Sequence, residues 1–138
     1  MIEDPNIETF NCIFRVTPMG KPRMTRQDKF KKRPCVTKYR GWKDQINLMA
    51  NLVAGLRAAL SEERIYSVSW IAYLPLPKSK DQNLAGTMHQ EKPDRDNIDK
   101  ALLDALLQND EGVALGSTQK FWDDGNGPRL EVEFLATK

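Results

Sequence analysis

Cysteine, histidine and long apolar runs are all scarce in this 138-residue sequence, and each shortage removes a class of protein. Two cysteines, Cys12 and Cys35, make neither a disulfide framework nor a zinc-ligand spacing. No apolar run approaches the ~20 residues that a membrane-spanning helix needs. The N-terminal "MIEDPNIETF" is acidic and lacks the basic and apolar regions of a signal peptide, so a reducing, cytoplasmic setting is expected. There is no internal repeat and no low-complexity segment. With 40% hydrophobic and 29% charged residues, the chain fits one soluble domain over residues 1–138. A domain of roughly 150 residues buries about 70% of its unfolded surface and needs no staple.

Charge is present in abundance and is unevenly placed. Residues 21–40, "KPRMTRQDKFKKRPCVTKYR", hold nine Lys or Arg and a single acid, Asp28. The other 118 residues hold twelve basic and eighteen acidic side chains, so a net charge of +2 conceals a basic block on an acidic body. Such asymmetry points to a polyanion docked at one place.

Hydrophobic periodicity outlines the elements. Residues 8–17 alternate, with Phe10, Cys12, Phe14 and Val16 facing one way, as in a strand. "PMGKP" breaks that strand, and the basic block follows as a loop, 18–38. Trp42, Ile46, Met49, Val53, Leu56 and Leu60 form one apolar stripe, predicting a long helix over 39–60 that Gly55 weakens slightly. Val68, Trp70, Ala72 and Leu74 mark a strand over 65–76, ended by Pro75 and Pro77. Residues 78–93 are a polar loop of functional or mobile type. A second helix is predicted over 96–108, burying Ile98, Ala101, Leu102, Ala105 and Leu106. Residues 112–122 and 129–137 read as two further strands joined by the turn "DDGNGP". The expected fold class is α/β of the mixed α+β kind, a small mixed sheet of about four strands packed by two helices.

The start of the second helix carries unusual chemistry, in "KPDRDNIDKALLDALLQND" over residues 92–110. Asp96 suits the N-cap, and Asp94 and Asp99 suit the positive end of the helix dipole. Asp96, Lys100 and Asp104 step by four along one ridge. Asp110 follows the helix, and if the next strand pairs beside it, Asp94, Asp96 and Asp110 converge with Lys100 nearby. Three carboxylates in contact repel one another unless a cation neutralises them. Oxygen-only ligands favour Mg²⁺ or Mn²⁺ over zinc. An EF-hand is excluded, because the sixth position from Asp94 is Asp99 rather than Gly and the twelfth is Ala105 rather than Glu.

The stretch "KPDRDNIDKALLDAL" resembles the K-P-D-x-D-N-x-x-K-A-x-x-D-A-L signature of the RusA-type Holliday junction resolvases, also called crossover junction endodeoxyribonucleases. "NDEGV" sits where that family has Asp-Asp-x-x-Val, and "PMGKPRMTRQDKFKKRP" is similar to the N-terminal loop of phage-encoded members. The resemblance spans residues 17–135. It implies catalytic roles for Asp94, Asp96, Lys100 and Asp110, with the three aspartates as metal ligands. Asn109 stands where many members have a further acid, and Pro93 where some have Arg. The resemblance also implies a homodimer acting on branched DNA, the four-way junction, with Mg²⁺ (or Mn²⁺) and no small-molecule cofactor.

The implied reaction is hydrolysis of a phosphodiester by metal-activated water. Lys21, Arg23, Arg26, Lys29, Lys31, Lys32 and Arg33 are the candidates for backbone phosphate contacts. Asn97 and Asp104 read as structural, with Asp104 bonding to Lys100 or the next turn. His89, the only histidine, reads as solvated, or as a loop residue approaching DNA. Trp42, Trp70 and Trp122 read as core or interface. Two alternatives stand beside the resolvase: a nuclease for branched or flapped DNA in general, and a DNA-binding module without catalysis.

Overall fold

A computed structural model describes residues 5–23 and 33–138. Four strands form one mixed sheet: β1 (Ile7–Phe14), β2 (Ile65–Leu74), β3 (Thr118–Trp122) and β4 (Arg129–Thr137). Their spatial order is β1-β4-β2-β3, with β4 antiparallel to both its neighbours and β2 parallel to β3. The helices are α1 (Pro34–Ala50), α2 (Leu56–Ser61) and α3 (Arg95–Leu106). A 3₁₀ turn at Gln82–Leu84 lies between β2 and α3. The expected mixed α+β class and four-stranded sheet are what the chain forms.

Alternation along the strands decides which face is covered. Phe10, Cys12 and Phe14 of β1, Val68, Trp70, Ala72 and Leu74 of β2, and Leu130, Val132, Phe134 and Ala136 of β4 are all buried. They meet Tyr39, Trp42 and Ile46 of α1 and Ile98, Ala101 and Leu102 of α3 in one core. All three tryptophans are buried, as expected. Trp42 donates to the Thr17 carbonyl (2.9 Å) and Trp70 to Asp99 (2.8 Å), so their polar ends are satisfied.

Three elements differ from expectation. The first helix begins earlier, at Pro34, whose missing N–H costs nothing in the first turn, so residues 34–38 of the supposed loop are helical. That helix also stops at Ala50, and a separate α2 starts after Gly55. Gly55 has φ +80°, and an added Cβ would lie 3.2 Å from the Phe10 ring. The apolar stripe survives the break because Leu56 and Leu60 are still buried, and a continuous stripe therefore concealed two helices. Finally, β3 covers only Thr118–Trp122 of the expected 112–122. The preceding residues follow β2 irregularly, with Ala114 and Leu115 both donating to the Tyr66 carbonyl.

The parallel β2–β3 pair is joined through α3, as parallel neighbours require a long crossover. This places the start of α3 beside β3. Arg95 donates to the Thr118 carbonyl (3.2 Å), and Asp99 accepts from Trp70 of β2. Among the described residues no helix is long and apolar enough to cross a membrane.

Candidate active site

The N-terminus of α3 is built by Asp94, not Asp96. Asp94 has the extended backbone of an N-cap (φ −69°, ψ 152°), and its carbonyl accepts from Ile98 (3.1 Å). Its side chain makes no capping bond. Asp96 lies inside the first turn, two positions past the N-cap it was expected to occupy, because helical geometry already holds at Arg95. Both carboxylates are open to solvent, with side chains 55% and 73% exposed. Asp94 pairs with Lys92 at 3.2 Å, and Asp96 with Lys100 at 3.8 Å. Exposed pairs of this kind contribute only about 0.2–1 kcal/mol. Helix capping therefore does not account for either side chain, and both stand free to take a ligand.

Asp110 is placed elsewhere. It lies beyond the C-terminal end of α3, in a turn closed by Val113 N donating to its carbonyl (3.0 Å). Gly112 of the same turn faces the Ile65 carbonyl at the start of β2. Twelve helical residues separate this end from Asp94, about 18 Å at 1.5 Å per residue. Among the described residues no three or more His, Cys, Asp or Glu side chains gather as a group that could hold a metal ion. Lys100 thus meets Asp96 and Lys92 meets Asp94, while Asp110 is not grouped with these acids. Two carboxylates suit Mg²⁺, which is commonly bound through one or two carboxylates with water and substrate phosphate completing its octahedron. The three-carboxylate set does not fit.

Basic residues are delivered to the same place. Gly20 approaches α3 so closely that a Cβ there would collide with the Asn97 side chain, and Lys21 N donates to the Asn97 carbonyl (3.3 Å). The head of the basic block therefore crosses the start of α3. At its other end, the Arg33 guanidinium donates to the Arg23 carbonyl (2.8 Å). The Lys21 backbone meets α3 at Asn97 while its ammonium pairs with Asp104 (3.6 Å), and Arg33 is bonded to Arg23; Arg26, Lys29, Lys31 and Lys32 fall outside the described residues.

Asp104, on the same ridge, serves the fold, through partners other than Lys100. It accepts from the Tyr39 hydroxyl (2.6 Å) and pairs with Lys43 (3.3 Å) and Lys21 (3.6 Å). Burial pushes its carboxyl up, but the Tyr39 bond and the two lysines outweigh this and hold it below the usual range. Burial and the neighbouring Asp104 push the Tyr39 hydroxyl up in turn.

Two residues beside the site had no sequence signal. Lys120 of β3 donates to the carbonyls of Glu91 (2.6 Å) and Pro93 (2.7 Å). Burial lowers its ammonium pKa, and the charge of Asp94 opposes that. Arg95 bonds Thr118. A groove of about 520 Å³, lined by Met88, Glu91, Asp94, Arg95, Lys120 and Phe121 among others, opens along β3 and reaches Asp94. His89 is neither solvated nor free to approach DNA. It is buried against Trp122 (ring centroids 4.2 Å), its backbone N–H donates to the Lys120 carbonyl, and its Nδ1 has no partner. Burial and then Lys120 lower its pKa, which keeps the ring neutral near pH 7.

The sequence profile of the family described as Endodeoxyribonuclease RusA matches residues 14–134. This chain belongs to the RusA family. The match runs from the end of β1 into β4 and includes the whole α3 site and the basic segment. The family is one of endodeoxyribonucleases, and the match covers both the exposed acids and the basic segment. No curated protein matches the chain.

Proposed function

We propose that this RusA-family chain resolves four-way DNA junctions by paired, symmetric, divalent-metal-dependent phosphodiester cleavage. The observation that carries the proposal is a helix start where Asp94 and Asp96 are exposed, Lys100 pairs with Asp96, and the Lys21 backbone at the head of the basic segment bonds Asn97. Asp94 and Asp96 are the residues to hold Mg²⁺ or Mn²⁺, which when bound lowers the pKa of attacking water and stabilises charge on the phosphate. Lys100 sets a positive charge where the attacked phosphate becomes more negative. The α3 N-terminus adds its dipole to the same field. Lys21, Arg23, Arg33 and the intervening cations hold backbone phosphates, so affinity falls steeply with salt. A two-fold homodimer presents two such sites with the symmetry of the junction itself.

The remoteness of Asp110 favours a second reading, a protein that binds branched DNA without cutting it. One experiment separates the two. A synthetic four-way junction and a linear duplex of the same sequence are incubated with wild type and Asp96→Asn, in Mg²⁺ and in EDTA. Paired nicks in the junction alone, requiring metal and lost in the variant, establish the resolvase. Equal cutting of both substrates makes the protein a nuclease without junction selectivity. Binding with no cutting in Mg²⁺ or Mn²⁺ selects the second reading.

A further inference from the structure

The residues just before α3 are held by a cation that the chemistry above does not use. Lys120 Nζ lies 2.6 Å from the Glu91 carbonyl and 2.7 Å from the Pro93 carbonyl. Pro93 is bonded directly to Asp94, so the ammonium grips the peptide that carries the carboxylate. The grip is itself anchored. The Lys120 carbonyl accepts from His89 N (3.1 Å), the His89 ring rests on Trp122, and Lys80 ties Glu91 at 2.8 Å.

Asp94 needs an external constraint. Its side chain makes no capping bond, and its ion pair with Lys92 is exposed on both sides. A residue at the junction of a loop and a helix retains backbone freedom unless something restrains it. A lysine ammonium has three donors, and two of these are committed to the carbonyls flanking the bend. Its positive charge also stands close enough to Asp94 for the two to interact.

We propose that Lys120 is the positioning residue of the site: docked on the Glu91 and Pro93 carbonyls, it sets where the Asp94 carboxylate stands. The proposal rests on the reading of Asp94 as a metal-holding carboxylate.

The test uses the full chain with Lys120→Met, which keeps an unbranched stem without charge or donors, and Lys120→Arg, which keeps both. Three quantities are read: Mn²⁺ binding by electron paramagnetic resonance without DNA, single-turnover cleavage at saturating junction, and amide exchange over residues 94–98. Lys120→Met is expected to weaken Mn²⁺ binding and slow cleavage by about 10–100-fold, the range seen when a residue that orients a metal ligand is lost. Exchange at 94–98 should speed up, junction affinity in EDTA should hold, and Lys120→Arg should recover most of the loss. Wild-type Mn²⁺ affinity and exchange in Lys120→Met overturn the proposal. Equal losses in Lys120→Met and Lys120→Arg also overturn it, because a positioning cation is rescued by another cation. If Lys120→Met fails to fold, Lys120→Gln, which removes the charge and leaves the two donors of a shorter amide, takes its place under the same criteria. A wild type that binds Mn²⁺ yet cuts no junction defeats the proposed function alone, and the Mn²⁺ and exchange comparisons still decide the role of Lys120.

Discussion

Two aspartate pairs of this chain look alike in sequence and behave as opposites. At the "DDGNGP" turn, Asp123 accepts from Gly125 N and Gly127 N, and Asp124 accepts from Asn126 N. Arg129, with its side chain only 6% exposed, forks onto both Asp124 oxygens at 3.1 Å, reaches Glu131 at 2.7 Å, and stacks on Tyr73 at 3.9 Å. At the start of α3, Asp94 and Asp96 hold only exposed lysines. The first pair is engaged within the fold, whereas the second is left for something outside it. An acidic pair becomes informative about function when the fold gives it no partner of its own.

The largest effect should come from removing one charge of the open pair. Asp96→Asn is expected to lower cleavage by about 10²–10³-fold or more, the scale of losing one group that supports charge in the transition state. The same variant should melt like wild type and bind junctions at least as tightly in EDTA, since a negative charge near phosphate is gone. Circular dichroism and gel-shift titration check this, and a melted variant would make Asp96 a structural acid like Asp124.

The reverse outcome is expected at the turn. Asp124→Asn should lower the melting temperature while leaving cleavage per folded molecule unchanged. The Arg129 bonds first, and the Asn126 amide next, hold the Asp124 carboxyl down at about 2. A depressed folded-state pKa supplies stability that is complete above the unfolded value near 4 and is lost as pH falls toward 2. Acid titration of stability should therefore be less steep over about pH 4 to 2 in Asp124→Asn than in wild type.

A smaller cost is expected where the acidic ridge enters the core. Tyr39→Phe removes the 2.6 Å bond to Asp104 and should destabilise by about 1–2 kcal/mol in urea unfolding, the range for a bond to a charged acceptor in a partly exposed position. Smallest of all is Asp110→Asn. With Asp110 at the far end of α3, cleavage should stay at the wild-type rate in a metal titration. Loss of cleavage on the scale of Asp96→Asn would return Asp110 to the active centre.

The legible parts of this chain are those governed by short periods. Alternation marked β1, β2 and β4, and the i, i+3, i+4 stripe marked the buried faces of both long helices. The pairing of Asp96 with Lys100 followed from the four-residue helical step once the helix was placed. What escaped depends on contacts between distant residues. Lys120 meets Pro93 across 27 residues, and Tyr39 meets Asp104 across 65, and no local pattern announces either. His89 looked solvated because its burial comes from Trp122, far along the chain. Asp110 stands beyond the opposite end of α3 from Asp94 for a related reason. Sequence distance says how much chain separates two acids, but the direction of a helix decides whether that chain returns.

The position of β4 has a consequence for how the molecule comes into being. Among the described residues it follows the other elements in the chain, yet it sits between β1 and β2 and is the one strand that pairs with β1. Phe134 lies opposite Phe10 on one side and Val68 on the other. Until residues 129–137 have been synthesised, β1 has no strand to pair with and the sheet cannot close over its core. Contacts of such long sequence separation form late and slowly. A partial polypeptide that already carries the acidic helix start and the basic segment therefore lacks the platform that brings them together. A fragment ending before Arg129 is therefore expected to show no DNA cleavage, which a nuclease assay on that fragment checks.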